Sequence, residues 1–171
     1  SGFVGDLPVV VGDIISFPVL QIHSLRHGIK VVEFQTPHYE RLILMFAQKV
    51  LTQNHWDTEN AINKMEIEVY RPPKLDCIHN TKYLIVERFS DFPQFNFDRI
   101  SLEPKNTYEI QLNGRYQLLI IISGIAAVVS NTGKSIKLKK EESLFIPVSM
   151  GCYKIESIGQ NHLICLNASP K

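Results

Sequence analysis

The residue best suited to chemistry is His23, because it follows a pattern typical of a metal-binding position. Gly12-Asp13 opens an apolar strand, Pro18 ends it, and His23 comes five residues later. A glycine permits the tight turn and a proline ends the strand, so that the histidine projects from the next strand into a β-barrel. A neutral imidazole there is a common ligand of divalent metals. The alternative is a core or surface histidine without a ligand role.

Glu33 and His38 are the other ionisable groups close to His23 in the sequence. If a strand over residues 29–35 pairs back on residues 22–25, Glu33 faces the same cavity as His23. We predict that Glu33 and His38 bind substrate. The alternative for Glu33 is a solvated strand residue.

Composition and charge restrict the classes of partner. The chain has 171 residues with 18 Lys and Arg against 17 Asp and Glu, a formal net charge of +1. Such a chain has no field of one sign to attract nucleic acid or an anionic membrane. Apolar runs such as Leu118–Ile122 are too short to span a bilayer. We therefore predict neither a nucleic-acid partner nor a membrane partner.

The three cysteines, Cys77, Cys152 and Cys165, are far apart, odd in number and without CxxC spacing. Free thiols in a reducing compartment explain this pattern most simply. We therefore predict a cytoplasmic protein.

Hydrophobic patterning predicts a mainly β chain with a helical insert. Apolar runs punctuated by Gly12, Pro18 and Gly28 predict three N-terminal strands, over residues 7–11, 14–17 and 29–35. An i, i+3, i+4, i+7 stripe predicts a helix over residues 39–51, although residues 42–46 would also suit a buried strand. A short helix is predicted over residues 58–65, with Glu59 in its first turn. A proline-broken linker follows, and then nine short strands separated by turns, at residues 83–89, 95–102, 107–112, 116–122, 126–130, 135–138, 143–146, 153–156 and 163–166.

An internal sequence similarity indicates a duplicated β-domain. Residues 12–19 can be laid over residues 141–148, since each segment has an acidic turn, four mostly apolar residues and then Pro-Val. The two copies lie 129 residues apart, which is too far for a solenoid repeat but natural for two copies of one domain.

The pattern from Gly12-Asp13 through Pro18 to His23 resembles the second motif of the cupin superfamily, and its continuation, from Phe17 to Gln35, is similar to the bacterial-type class I mannose-6-phosphate isomerases. The elements that carry the resemblance, in their family order, are Glu33-Phe34-Gln35, Arg41, His55-Trp56-Asp57 with Ala61-Ile62, Pro72-Pro73 and Leu144-Phe145-Ile146-Pro147. The resemblance implies a cupin-type jelly-roll β-sandwich, one complete and one partial. It implies a partial first barrel over residues 1–36, a helical insert and linker over 37–80, and a second, metal-free cupin domain over 81–171.

The resemblance also implies a function and roles for residues. His23 would be the metal-binding histidine of the first cupin, and Arg41 the catalytic arginine near C1 and C2 of the sugar. The reaction would be aldose–ketose isomerisation, from mannose 6-phosphate to fructose 6-phosphate through a cis-enediol. The partner would be a sugar phosphate, and the protein would take part in carbohydrate metabolism.

The sequence departs from the family at two points. Val19-Leu20 replace the family's smaller Ala-Gly and would narrow the mouth of the first cupin barrel near the metal. The family's other ligands, in its Gln-x-His motif and a Glu, lie upstream of this segment, and one histidine cannot hold zinc. We therefore expect zinc in a longer parent protein, and little metal and no turnover in this chain.

The second β-domain is predicted to be structural. Cys152 takes the position that His23 has in the first copy, and a small buried hydrophobe is the alternative to any ligand role. Residues 116–122 and 126–130 bear no inward histidine or paired carboxylates.

Two other functions stay open besides the isomerase. One is a non-catalytic cupin that binds a sugar or acts as a structural or regulatory module. The other is a different metal-dependent cupin such as a dioxygenase, which would need a cluster of histidine and glutamate that this sequence does not have. Open N-terminal strand edges also predict a homo-oligomer, unless residues 39–51 cover them.

Overall fold

The computed structural model describes residues 5–35, 42, 58–69, 71–89 and 93–171. The chain divides into two compact units, Ser1–Pro72 and Pro73–Lys171. The division falls between the two adjacent prolines, which cannot continue a helix or donate to a sheet ladder. The domain bounds at residues 36 and 80 stay predictions.

The described residues of the first unit contain one short helix, α1, over Thr58–Lys64. Glu59 lies in its first turn and Lys64 in its last, so both charges complement the helix dipole, and Ala61 is buried. This confirms the predicted short helix. The longer helix predicted over residues 39–51 falls outside the described residues, except for Leu42.

The three predicted N-terminal strands are wrong. Residues 5–35 form turns and segments without regular secondary structure, and their β-pairing among the described residues is a single parallel bridge between Gln21 and Glu66. An apolar run becomes a strand only where a neighbour pairs with its backbone. Without such a partner Val10 and Val11 are exposed. Whether residues 1–36 belong to a first barrel stays a prediction.

The second unit is a β-sandwich. Its strands are β1 Leu75–Asn80, β2 Leu84–Phe89, β3 Phe95–Leu102, β4 Thr107–Gln111, β5 Gln117–Ser123, β6 Ile125–Ser130, β7 Ser135–Lys139, β8 Ser143–Ile146, β9 Cys152–Ser157 and β10 Leu163–Pro170. Six of them form one sheet in the order β1-β2-β3-β10-β5-β8, and four form another in the order β4-β9-β6-β7. The pairs are antiparallel. The predicted mainly β, jelly-roll sandwich with a short helix is confirmed.

Strand β1 replaces the predicted linker over residues 75–81. It is an edge strand whose side chains are mostly exposed, and it pairs with β2 across a bulge between Cys77 and His79. The Thr81 hydroxyl accepts hydrogen bonds from the backbone amides of Tyr83 and Leu84, which fixes the turn between the two strands. The sequence did not predict β1 because this strand contains polar residues, and an edge strand needs little apolar surface.

The core lies between the two sheets. Its buried residues, supplied by both sheets, are Val86, Ile100, Leu102, Ile110, Leu112, Leu119, Ile121, Ala126, Val128, Leu138, Ile146, Tyr153, Ile155, Leu163 and Cys165. Strands β2 to β10 contribute to this core, and where one strand supplies two of these residues they stand two positions apart, as the period of two requires.

None of the helices in the described segments is long and apolar enough to cross a membrane.

Candidate functional site

A polar pocket opens at one end of the sandwich in the second unit. Its volume is about 350 Å³, within the range of roughly 300–1,000 Å³ typical of ligand pockets. The side chains that line it come from β2, β3, β4, β5, β10 and the β4–β5 turn: Val86, Arg88, Asn96, Asp98, Tyr108, Glu109, Ile110, Gln111, Leu112, Asn113, Arg115, Gln117, Asn167 and Ser169.

Strand register gathers these polar side chains in one place. Arg88 on β2 lies opposite Asp98 on β3, and Asp98 lies opposite Asn167 on β10, so the three form a row across the sheet. Two residues further along the strands the corresponding row is apolar: Val86, Ile100, Cys165 and Ile121. The interior of the sandwich therefore changes from apolar to polar within one row, at the floor of the pocket.

Two buried amides form the inner end of the pocket. Gln117 is 7% exposed and Asn167 is 4% exposed. The Tyr153 hydroxyl donates to Gln117 Oε1 at 2.6 Å, and Asn167 Nδ2 donates to the same oxygen at 3.0 Å. Burial raises the pKa of Tyr153, so the phenol stays protonated and remains a donor. Gln117 Oε1 thus has two donors.

The remaining polar atom of each amide, Asn167 Oδ1 and Gln117 Nε2, has no hydrogen-bond partner among the described residues. Asn167 Oδ1 is a buried acceptor that receives no hydrogen bond in the described part of the chain. Gln117 Nε2 likewise makes no hydrogen bond to any described residue. An unpaired buried acceptor costs about 1–3 kcal/mol, and native proteins contain few of them. The inner end of the pocket therefore offers one acceptor and one donor to a ligand.

An ion pair forms the pocket wall beside the amides. Arg88 donates to Asp98 through Nε at 2.7 Å and through Nη2 at 2.9 Å, a bidentate arrangement. The hydrogen bonds that Arg88 donates to Asp98 raise the pKa of Arg88 further above its usual value. Burial raises the pKa of Tyr108 on the facing strand, and the Asp98 charge adds to this shift. The wall is thus polar, but its two charges cancel.

The chain also matches a known family over its second half. Residues 80–166, about half of the chain, match the family model described as mannose-6-phosphate isomerase, cupin domain. The chain belongs to this family. The resemblance predicted from the sequence is thereby confirmed for the cupin, mannose-6-phosphate isomerase-like domain. No curated protein matches the sequence significantly.

Several solved structures are similar to this chain of the mannose-6-phosphate isomerase cupin family. The plu4264 protein of Photorhabdus luminescens shares 16% identity, with 60% of this chain and 88% of that chain covered, at a TM-score of 0.48. A cupin superfamily protein of Desulfitobacterium hafniense shares 16% identity, with coverages of 54% and 81% and a TM-score of 0.44. A sugar phosphate isomerase of the cupin superfamily from Silicibacter pomeroyi shares 10% identity, with coverages of 50% and 59% and a TM-score of 0.42.

The residues predicted for the isomerase site lie in the first unit or outside the described residues. His23 is exposed; its Nδ1–H donates to the Gln21 carbonyl at 2.9 Å, and its ring stacks on Phe17 at 4.2 Å between centroids. Glu33 is exposed. Arg41 and His38 lie outside the described residues. Their predicted roles stay predictions.

The described residues do not fit the zinc centre that the family resemblance implies. Within them no group of three or more histidine, cysteine, aspartate or glutamate side chains is close enough together to hold a metal ion. Cys152 on β9 is half-buried beside Gln111 on β4. We therefore derive no chemical step through a metal.

Sequence reasoning missed the polar pocket in this cupin because it searched for charged and metal-ligating groups. Gln117 and Asn167 are neutral and 50 residues apart. A signal was nevertheless present, since Asn167 follows four apolar residues in the strand Leu163–Pro170 and is itself followed by Ala168. A lone amide inside a buried strand indicates either a satisfied network or a ligand contact.

Proposed function

We propose that residues 73–171 form a carbohydrate-binding cupin domain. The observation that carries this proposal is the buried Asn167 Oδ1 at the inner end of the pocket, which accepts no hydrogen bond from a described residue and lies beside Gln117, whose Nε2 donates none to one. A hydroxyl group both donates and accepts hydrogen bonds, so one hydroxyl or two neighbouring ones can satisfy both amide groups. A hydrogen bond from such a hydroxyl offsets the desolvation cost of the buried acceptor Asn167 Oδ1.

The rest of the lining also suits a sugar. Arg88 and Asp98 present planar polar edges that can bind further hydroxyls without adding net charge. Val86, Ile110 and Leu112 supply apolar surface for the C–H groups of a sugar ring. Apolar surface with a few convergent polar groups is the usual composition of a small-molecule site.

We further propose that the protein acts in aldose–ketose isomerisation between mannose 6-phosphate and fructose 6-phosphate. Membership of the mannose-6-phosphate isomerase cupin family supports this proposal. In it, Arg41 would stabilise the enediolate charge, because a guanidinium stays protonated and can donate two hydrogen bonds to oxygen. Glu33 and His38 would contact the sugar. In this proposal the reacting carbons lie at Arg41, Glu33 and His38. The pocket of residues 73–171 is then a sugar-binding site distinct from the site of the reaction.

The binding proposal is tested by calorimetric titration of the 171-residue chain with mannose. A matched pair of variants controls for folding: Ser169→Phe fills the pocket, whereas Ser135→Phe adds the same ring on an exposed position of β7. We expect saturable binding to the wild type and to Ser135→Phe, and none to Ser169→Phe. Equal binding by both variants, or no binding by the wild type, would contradict a sugar site in this pocket.

The isomerase proposal has its own measurement. Mannose 6-phosphate is added to the full gene product, and fructose 6-phosphate is followed by a coupled NADPH assay. We expect turnover that Arg41→Gln lowers at least tenfold, since one removed charge-stabilising donor typically costs about 10²–10³ in kcat. Failure of the full gene product to form fructose 6-phosphate would refute the isomerase proposal and leave the binding proposal standing.

A further inference from the structure

We infer that strand β8, Ser143–Ile146, joins two copies of this chain by pairing antiparallel with the same strand of a second copy. The strand lies at one edge of the six-stranded sheet, with β5 as its neighbour. This contact is on an outer edge of the sandwich and is independent of the proposed carbohydrate site.

The four edge strands of the sandwich differ in their protection against pairing with another chain. Native proteins usually block such edges with charged residues, bulges or prolines, because the outer backbone groups can pair with a second chain. Strand β1 has Asp76 and a bulge, β4 has Glu109 and β7 has Lys137. Strand β8 has the sequence Ser-Leu-Phe-Ile and pairs with β5 in unbroken register. Among the four edges in the described part of the chain, β8 is therefore the one without such protection.

The outer face beside this edge is apolar. Phe145 on β8 pairs with Leu118 on β5, and the ring centroids of Phe145 and Tyr116 lie 5.5 Å apart. Phe145 is 57% exposed, Leu118 41% and Tyr116 43%. Together they expose on the order of 300 Å² of mainly apolar surface. The largest apolar patch on a monomer is roughly 300–600 Å² and often functional, so this surface can contribute to an interface.

The backbone of β8 also presents hydrogen-bonding groups at its free edge. The Ile121 amide of β5 donates to the Glu142 carbonyl at 3.0 Å, and β8 continues antiparallel to β5 from there. In an antiparallel ladder alternate residues turn their backbone groups toward the partner strand. The backbone groups of Leu144 therefore face β5, whereas those of Ser143 and Phe145 face outward.

This free edge is complementary to itself in the antiparallel direction. With Leu144 on a two-fold axis, Ser143 of one copy lies opposite Phe145 of the second copy. Each such pair can exchange two backbone hydrogen bonds, so the contact contains about four. The same register places a small serine side chain beside each phenylalanine ring, which lets the two apolar faces meet.

The charges at the two ends of β8 also fit a second copy. Glu142 lies at the start of the strand and is exposed. Arg115 is also exposed, and it lies toward the other end of β8, since Gln117 pairs with Ile146. Antiparallel pairing exchanges the ends, so the acidic end of each copy lies next to the basic end of the other. A parallel arrangement would place like charges together, which opposes association.

Sedimentation velocity of the 171-residue chain tests this contact over a roughly hundredfold range of protein concentration. We expect a monomer–dimer equilibrium in the wild type. Ser143→Pro removes an outward-facing amide and leaves the ladder to β5 intact, and Phe145→Lys places a charge in the apolar patch. Each variant should raise the dissociation constant of the dimer at least about tenfold.

Two matched variants control for damage to the fold. Ser135→Pro makes the same change on the edge strand β7; the Ser130 amide donates to the Lys134 carbonyl, so the Ser135 amide likewise faces away from the neighbouring strand. Leu75→Lys places a lysine at an exposed leucine of β1, on the opposite edge of the same sheet. Both controls should dimerise like the wild type. Circular dichroism checks that each variant is folded, and if Ser143→Pro is not, Phe145→Lys decides.

Hydrogen exchange at two protein concentrations locates the contact. The amides of Ser143 and Phe145 should exchange more slowly at the concentration at which the dimer forms. A wild-type chain that stays monomeric over the whole range would overturn the inference. A dimer that both β8 variants leave intact would also overturn it, as an oligomer formed through the N-terminal residues would be. Equal loss of the dimer in Ser135→Pro would have the same consequence.

Discussion

Replacing Asn167 with leucine tests whether the buried amide is kept for a ligand at a cost in stability. Leucine has the same branched heavy-atom skeleton as asparagine, and it removes both polar groups of a side chain that is 4% exposed. It removes one hydrogen bond, from Asn167 Nδ2 to Gln117 Oε1, and it also removes the unpaired acceptor Oδ1. Gln117 Oε1 keeps its bond from the Tyr153 hydroxyl.

The two effects have opposite signs. The lost hydrogen bond contributes about 0.5–1.5 kcal/mol net, whereas the unpaired acceptor costs about 1–3 kcal/mol. We therefore expect the free energy of unfolding of Asn167→Leu to rise by about 1 kcal/mol. For a unit of this size that is an increase in Tm of about 4–8 °C. Mannose binding should be lost, because the hydroxyl acceptor is gone.

Gln117→Leu is the matched comparison, since it removes the other amide of the same network. It leaves two donors without an acceptor, the Tyr153 hydroxyl and Asn167 Nδ2. Each orphaned donor costs about 1–3 kcal/mol, so this variant should lose about 2 kcal/mol or more. Urea titrations followed by circular dichroism, with calorimetry for mannose, measure both quantities. The reasoning is refuted if Asn167→Leu is destabilised as much as Gln117→Leu, or if it binds mannose like the wild type.

Three further outcomes are expected elsewhere in the second unit. Gly124→Ala should lower the free energy of unfolding by at least about 1 kcal/mol more than Gly133→Ala in urea titrations; both glycines have φ near 80°, but only at Gly124 would a Cβ lie 2.9 Å from a backbone oxygen. Burial raises the pKa of Cys165 to about 12, so mass spectrometry should find this thiol unmodified by iodoacetamide at pH 8 until denaturant unfolds the chain. Asp98→Asn should release the Arg88 guanidinium and increase the affinity for inorganic phosphate several-fold by calorimetry, and an unchanged affinity would contradict a charge-balanced wall.

Strand positions in the second unit could be predicted closely from the sequence. The predicted bounds of β3 and β8 match the observed Phe95–Leu102 and Ser143–Ile146. Alternation of apolar and polar residues and turn glycines carry this information locally, since each strand needs one buried face and an abrupt end. Strand β1 was not predicted because an edge strand can remain largely polar.

The N-terminal strands show where local pattern is insufficient. Residues 7–11, 14–17 and 29–35 have strand-like composition, yet none of them forms a β-pair with a described residue, and the bridge found nearby joins Gln21 to Glu66. Apolar and β-branched composition makes a segment compatible with a strand, but the segment forms a strand only when its backbone hydrogen-bonds to a neighbouring strand.

The sequence by itself determined the β class of the second unit and its resemblance to mannose-6-phosphate isomerase cupins, because both depend on residue order along the chain. Only the tertiary structure decided where its polar chemistry lies. Gln117 and Asn167 are far apart in sequence, and the register of β10 between β3 and β5 brings them together around one oxygen. An unpaired acceptor can be recognised only after every other partner has been placed, so the pocket was not readable from residue types alone.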